Sequence, residues 1–157
     1  MNEQKLANQL EALLDEELAA RGRTTAILNE QIETLQQKDQ EAFTACIQRM
    51  ESELSSNAER GQRRAQIIAA LAAQWGIAPT TLTLSSIATR LGDAGKRVLA
   101  KRAALRDAVA SELWANRRLG VLMGAERRLV RDLLRSIYGE DAEKALDGAG
   151  NLVDAQA

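Results

Sequence analysis

Apolar residues recur every three or four positions along most of the chain, which is the spacing of one face of an α-helix. The first such stretch predicts a helix from about Asn2 to about Gln36. We expect a kink or local fraying near Gly22 and the Thr24–Thr25 pair, because glycine costs about 1 kcal/mol against alanine inside a helix. The apolar positions of this helix are Leu6, Leu10, Leu13, Leu14, Leu18, Leu28, Ile32 and Leu35.

A second helix is predicted after a turn at residues 36–39. Asp39 can cap this helix, because its carboxylate can accept hydrogen bonds from the exposed amide groups of the first turn. Gly76 should end it, since glycine readily adopts the left-handed conformation found at many helix ends. The apolar positions of this helix are Phe43, Ile47, Met50, Leu54, Ala58, Ala65, Ile68, Leu71 and Trp75.

A connector at residues 77–86 follows the second helix, and Pro79 within it blocks helix continuation. The spacing of Leu82, Leu84, Ile87 and Leu91 predicts a short helix that caps one end of a bundle. The connector therefore separates the second long helix from the last one.

The last long helix is predicted from about Ala94 to Tyr138, with Asp93 placed to start it and Gly139 to stop it. Gly120 and Gly124 form a Gly-x-x-x-Gly inside this charged helix, which indicates close helix packing or an accessible groove and not a nucleotide site. Its apolar positions are Val98, Leu99, Leu105, Val109, Leu113, Val121, Met123, Leu129, Val130, Leu133, Leu134 and Ile137.

These elements predict an all-α fold, an antiparallel bundle of three long amphipathic helices with a short capping helix in the connector. The chain has 157 residues, 3% aromatics and one proline, a composition that fits one helical domain and argues against a sheet. We expect residues 1–139 to form the bundle, and residues 140–157 to form an acidic, flexible tail.

Charge is unevenly distributed although the formal net charge is −1. Residues 1–60 carry six Lys/Arg and twelve Asp/Glu, residues 61–138 carry fourteen and five, and the remainder carries one and five. One interpretation is that acidic and basic helices pack together and neutralise each other. The other is that the basic segment recruits an acidic partner.

The chain has few of the residue types that catalysis or metal binding would need. The chain has no histidine, which removes the commonest general base and the commonest zinc ligand. Paired glutamates such as Glu16 and Glu17 do not share a helix face, and the only cysteine, Cys46, fits a small buried thiol. No phosphate-binding loop occurs. We therefore expect a protein that is not an enzyme and has no metal or cofactor.

An uncharged stretch from Ala65 to Thr89 is long enough to raise the question of a membrane span. It contains Gln66, Gln74 and Pro79, so we interpret it as a helix end followed by a loop. The first residues are polar and acidic, unlike a secretory signal. The expected location is cytoplasmic.

Basic residues on the last helix include Arg127, Arg131 and Arg135, whose four-residue spacing forms one stripe. Nucleic-acid binding would use such a stripe for phosphate contacts. The sequence pI of about 5.6 lies far below the value above 9 typical of dedicated nucleic-acid-binding domains, and no stacking aromatics accompany the arginines. The stripe is better interpreted as tuning a protein interface, with no nucleic-acid partner.

One side of the last helix combines apolar residues with a small one. Leu113, Asn116, Gly120, Met123 and Val130 follow one another by steps that keep them on one face. Buried core is the default interpretation of such a face. The functional alternative is a surface that receives a partner helix, and the sequence leaves both open.

Two stretches resemble the FlgN type of flagellar export chaperone, over roughly Leu6 to Gly139. The charged segment at residues 59–64, followed by an apolar run to Trp75–Gly76, resembles one family motif. Residues 113–122 are similar to a second, in which Asn116 and Gly120 fit, while Leu119 stands where another asparagine is usual. Tyr138–Gly139 resembles a Tyr-Gly found after the last helix in some members.

The resemblance implies a chaperone that holds flagellar hook–filament junction proteins in the cytoplasm. It would bind their helix-forming C-terminal segments through Leu113 to Leu134 and deliver them to the type III export gate, which Tyr138 would contact. The residues expected to bind partners are Leu113, Asn116, Gly120, Met123, Arg127, Val130, Arg131 and Tyr138. The alternative is a structural or regulatory coiled-coil protein that uses the same face for homo-oligomerisation.

Overall fold

A computed structural model describes residues 3–138 of the chain, and all regular structure in that range is helical. The long helices are α1 (Glu3–Gln37), α2 (Gln40–Trp75) and α4 (Asp93–Tyr138). A 3₁₀ turn at Pro79–Thr81 and the short helix α3 (Leu84–Arg90) connect α2 to α4. The all-α prediction is confirmed for these residues, while the predicted tail at residues 140–157 lies outside them.

The predicted helix boundaries depend on local chemistry that the structure confirms. The Asp39 carboxylate accepts a hydrogen bond from the Ala42 amide at 3.0 Å and caps α2. Gly76 ends α2 with φ of 64°, in the left-handed region that favours glycine. The fraying expected near Gly22 does not occur, because α1 stays helical through this residue, and the Thr24 hydroxyl donates to the Ala20 carbonyl at 3.1 Å.

The short helix α3 begins with a reciprocal cap. The Thr83 hydroxyl accepts from the Ser86 amide at 3.1 Å, and the Ser86 hydroxyl accepts from the Thr83 amide at 2.9 Å. After α3, Gly92 turns the chain with φ of 59°. Gly95 then brings α4 so close to the backbone of Ala88 that a side chain at this position would overlap the Ala88 carbonyl.

The ion pairs between α1 and α2 define their relative direction. As residue numbers rise along α1, the numbers of the partners fall along α2, so the two helices form an antiparallel hairpin. The pairs are Glu16–Arg63, Glu17–Arg64, Arg23–Glu53 and Glu30–Arg49, with distances of 2.6 to 2.7 Å.

The first part of α4 runs in the same direction as α1. Glu11 pairs with Arg97 at 2.9 Å, Asp15 pairs with Lys101, and Arg21 pairs with Glu112 at 3.1 Å. Numbers rise together along both helices, which indicates a parallel arrangement. The acidic first helix is thus neutralised by basic residues of both α2 and α4.

The hydrophobic core combines residues from all four helices. Its members are each at most 3% exposed, and they are Leu6, Leu10, Leu14, Leu71, Ile87, Ala88 and Val98. All of them lie in the first of two compact units, which covers Met1–Arg117. The second unit covers Arg118–Ala157 and includes the remainder of α4.

Candidate partner-binding surface on the last helix

The second part of α4 carries large apolar side chains that are not buried. Leu119 is 8% exposed. No described residue from Gly120 to Ile137 is buried. Val98, near the start of the same helix, is only 1% exposed. The apolar pattern of α4 therefore continues beyond the part of the helix that is buried.

Four exposed residues of the second unit share one side of α4 and are named here the apolar stripe. They succeed one another by steps of seven, three and four residues, which keeps them on one helix face. The apolar stripe consists of Met123, Val130, Leu133 and Ile137, exposed by 48%, 52%, 53% and 68%. Its geometry is that of a surface which receives another amphipathic helix.

Predicted partner-binding residues are distributed along and beside this stripe. Met123 and Val130 belong to it, while Arg127 and Arg131 lie along one edge, Arg127 exposed and Arg131 half-buried. Gly120 lies one turn before Met123 and is exposed. The structure therefore brings these five residues to neighbouring positions on one helix.

The other three predicted residues lie elsewhere on α4. Leu113 and Asn116 belong to the first unit and are exposed, Leu113 by 52%. Tyr138 is the last residue of α4, and its side chain lies outside the described part of the chain. Its predicted contact with an export gate stays a prediction.

Leu133 and Ile137 are part of the apolar stripe but were not among the residues predicted to bind partners. The sequence identified them only as apolar positions of the last helix. Their spacing from Val130 was the available signal. It places them on the same face as Met123 and Val130 but does not tell a covered face from an open one.

Open space surrounds the two glycines of the Gly-x-x-x-Gly. A Cβ atom added to Gly120 or to Gly124 would meet no other atom within 4 Å, apart from the helix's own nearby backbone. No neighbouring helix of the described chain therefore packs tightly on these glycines, and an incoming backbone can approach α4 there.

The second unit is basic in its described part. Residues 118–138 carry five arginines against Glu126 and Asp132, a net charge of +3. Arg127, Arg131 and Arg135 form the basic stripe predicted from the sequence. Arg128, on the neighbouring face, donates from Nε to the Gly124 carbonyl at 3.3 Å.

The carboxylates with shifted pKa values are held in their charged form. A hydrogen bond from Arg23 lowers the pKa of Glu53, and one from Arg49 lowers the pKa of Glu30. A catalytic acid needs the opposite shift. Residues 3–138 contain no group of three or more His, Cys, Asp or Glu side chains arranged to hold a metal ion.

An open depression of about 450 Å³ lies between α1 and α2 in the first unit. Leu13, Ile67 and Ala70 line it, and the ion pair between Glu16 and Arg63 borders it. Its two charged groups, Glu16 and Arg63, are paired with each other. Among the described helices, none has an apolar segment long enough to cross a bilayer.

Comparison of the chain with protein-family models, with curated proteins and with solved structures found no match. The surface on α4 must therefore be interpreted from its own geometry and charge.

Proposed function

We propose that the chain is a cytoplasmic chaperone that binds amphipathic helical segments of other proteins along the second part of α4. The observation that carries this function is the apolar stripe, four large side chains left about half-exposed or more on a helix whose beginning is part of the core. Soluble proteins rarely leave contiguous apolar surface of this kind without a binding role.

The energetics suit reversible capture. If a bound helix covers roughly 300 Å² of apolar surface, the gain is roughly 7 kcal/mol at 25 cal/mol per Å². Loss of translational and conformational freedom offsets part of it. The resulting moderate affinity allows a client to be held and later released, which an obligate interface would not permit.

The clients we propose are the flagellar hook–filament junction proteins, whose C-terminal segments form amphipathic helices. Their identity rests on the resemblance of residues 59–76 and 113–122 to the FlgN-type family. In the same scheme Tyr138 contacts the export gate, and the three long helices form an antiparallel bundle that α3 caps. An exposed apolar segment would self-associate before export, and covering it prevents this.

A pair of matched variants tests this function. Val130 belongs to the apolar stripe, and Val121 lies nine residues before it, on the opposite side of α4 at 100° per residue. Both valines are more than half exposed, at 52% and 69%. The affinity for a labelled C-terminal fragment of a hook–filament junction protein should fall at least tenfold in Val130→Asp and less than twofold in Val121→Asp.

Circular dichroism of both variants should match the wild type, because neither valine is buried. A wild-type protein that does not bind such a fragment would contradict the choice of client. Equal losses for the two variants would contradict binding through the apolar stripe.

A second candidate function, a structural or regulatory coiled-coil protein, is favoured by one specific observation. Met123, Val130 and Ile137 are seven residues apart, and Leu133 lies between two of them at coiled-coil spacing. Self-association through this seam would appear in sedimentation equilibrium as a concentration-dependent mass that Val130→Asp abolishes. The chaperone function requires that free protein keep the stripe accessible at working concentration.

A further inference from the structure

A single charged residue interrupts the apolar stripe. Glu126 lies three residues after Met123 and four before Val130, so the steps from Met123 to Ile137 become three, four, three and four once Glu126 is included. This alternation is that of the contact positions of two helices packed along their length. Glu126 is half-buried, whereas every apolar member of the stripe is exposed. A helix that covers the stripe must therefore also cover the Glu126 carboxylate.

The first unit contains a carboxylate at the equivalent position of α4. Glu112 lies fourteen residues before Glu126, which at 100° per residue returns to within 40° of the same direction. On this face, Val98 and Leu119 are buried, and Leu105 packs against the core. The residues that follow one another along it by steps of seven are Val98, Leu105, Glu112, Leu119, Glu126 and Leu133. The apolar stripe with Glu126 thus continues the face of α4 that is packed in the first unit.

An arginine of the packed helix meets the first of these two carboxylates. Nη1 of Arg21 in α1 donates to both carboxylate oxygens of Glu112 at 3.1 Å. Arg21 lies seven residues after Leu14 and seven before Leu28, and both leucines are buried. The helix that covers Glu112 therefore carries one arginine between two leucines of its own apolar face.

From this correspondence, and building on the proposed function, we infer that the occupant of the apolar stripe is an amphipathic helix with one basic residue on its apolar face. Its apolar side chains cover Met123, Val130 and Leu133, and its basic residue pairs with Glu126. An apolar side chain in place of the basic one would bury the carboxylate without a partner, which costs affinity. Glu126 thus selects among amphipathic helices and fixes the register at which one binds, as a single polar residue does in coiled coils.

The Glu126 carboxylate disfavours the two other occupants of such a face. Two copies joined in parallel would place one Glu126 against the other, and like charges across an interface cost affinity. An antiparallel pair centred on Val130 would cover each Glu126 with Leu133 and Leu134 of the other copy, without a cation. A nucleic acid would bring phosphates towards the carboxylate and would leave the four apolar side chains without a complementary surface.

Two designed helical peptides of identical composition provide the test. In the first peptide, an arginine lies midway between two leucines of the apolar face, seven residues from each, and a glutamine lies on the outer face. In the second peptide, the arginine and the glutamine are exchanged, so length, net charge and leucines stay the same. Isothermal titration against the full chain at physiological salt should show at least fivefold tighter binding of the first peptide.

Matched variants then assign this preference to one carboxylate. Glu126→Gln should reduce the preference for the first peptide to less than twofold, because no charge is left for the arginine to meet. Asp132→Asn removes the same charge from an exposed position six residues further on, 120° around the helix, and should preserve the preference. Circular dichroism of both variants should match the wild type, because neither side chain is buried.

The outcomes separate the two levels of inference. Equal affinities of the wild type for the two peptides, or equal losses of preference in the two variants, would overturn the role of Glu126 and leave the helix-binding function standing. If neither peptide nor a client fragment binds, the function itself is wrong. Self-association of the wild type that Val130→Asp abolishes would assign the stripe to a second copy. Tighter binding of a duplex DNA fragment than of the first peptide would assign it to nucleic acid.

Discussion

At the scale of single residues, the ion pairs of the α1–α2 hairpin differ in how deeply their charged groups are buried. The Glu53 carboxylate accepts from Arg23 at 2.6 Å and lies 3.7 Å from Arg60. Arg60 is only 7% exposed, and its Nε has no hydrogen-bond partner in the described structure. A buried guanidinium depends strongly on a nearby carboxylate, because removing the partner of a buried charge costs more than the pair itself contributes.

Glu53→Gln should therefore destabilise the fold at neutral pH by about 2 kcal/mol. The pKa of Glu53 is lowered in the folded state, chiefly by the hydrogen bond from Arg23. The stabilisation that the Glu53 carboxylate provides is fully present above the pKa of about 4.3 that a glutamate has in the unfolded chain. This stabilisation is lost as the pH falls through the lower pKa of Glu53 in the folded protein. Urea denaturation at pH 7 and at pH 3 should show the difference between variant and wild type shrinking in acid.

Glu33 provides the control for this substitution, because its side chain is exposed. Glu33→Gln should leave the free energy of unfolding within about 0.5 kcal/mol of the wild type at neutral pH. A difference for Glu53→Gln that grows in acid would contradict the assigned direction of the pKa shift.

Substitution by alanine should change the free energy of unfolding in opposite directions at two glycines of α4. Gly95→Ala places a methyl group against the Ala88 carbonyl, so it should lower the free energy of unfolding by about 1–3 kcal/mol. Gly120→Ala meets open space inside a helix, where alanine is favoured by up to about 1 kcal/mol. Thermal unfolding of the two variants should shift to opposite sides of the wild type, and shifts of the same sign would contradict these environments.

At the scale of the helix, α1 and the second part of α4 have similar apolar spacing but different surroundings. The stripe of α1 is almost entirely buried, from Leu6 at 1% exposure to Ile32 at 3%. The apolar stripe of α4 is about half-exposed or more at every member. Spacing alone therefore indicates which residues share a face, and it does not indicate whether another helix covers that face.

A pair of identical substitutions measures this difference. Leu14 is fully buried and Leu133 is 53% exposed. Leu14→Ala should cost about 2–5 kcal/mol of folding free energy, because it removes packed methyl groups and leaves a cavity. Leu133→Ala should change stability by less than about 0.5 kcal/mol. Comparable losses in chemical denaturation would show that the exposed stripe is covered in the folded protein in solution.

The sequence was sufficient to predict the helices because their ends depend on local interactions. The predicted start and end of α1 each differ from the structure by one residue, and the Asp39 cap and the Gly76 stop were both correct. Asp93 likewise begins α4 as its position suggested. Capping needs only neighbours in sequence, so it can be recognised without knowledge of tertiary contacts.

At the scale of the whole chain, the candidate surface was only partly predictable. The sequence identified Met123, Val130 and the arginines beside them, but it left core and partner surface open as alternatives. Which side chains of α4 are exposed depends on which of its faces packs against another helix. That packing is a tertiary property, so a short sequence motif does not indicate it. Leu133 and Ile137 were missed as partner-binding residues for this reason.

Hydrogen exchange should reveal the same division along the chain. Amides within residues 6–20 lie on a packed helix and should exchange slowly, whereas those of residues 120–137 lie on a helix without buried side chains and should open more readily. Exchange of the second segment should slow when a client helix is added, while the first segment stays unchanged. Equal protection of both segments in the free protein would contradict the low packing of the distal part of α4.

The two tryptophans have a consequence for how a bound helix can be observed. Trp75 is half-buried, with the Arg90 guanidinium 5.5 Å from the centre of its ring, whereas Trp114 is 61% exposed beside Leu113. In Trp75→Phe, all tryptophan fluorescence comes from Trp114, which is 61% exposed, so its emission should be red-shifted and quenched by acrylamide. Trp114 lies nine residues before Met123, which places it on the opposite side of α4 at 100° per residue. A helix bound along the apolar stripe should therefore leave that emission unchanged, and a blue shift on binding would show that the partner also covers the opposite side of α4. The fluorescence of Trp114 thus reports which side of α4 a bound helix covers.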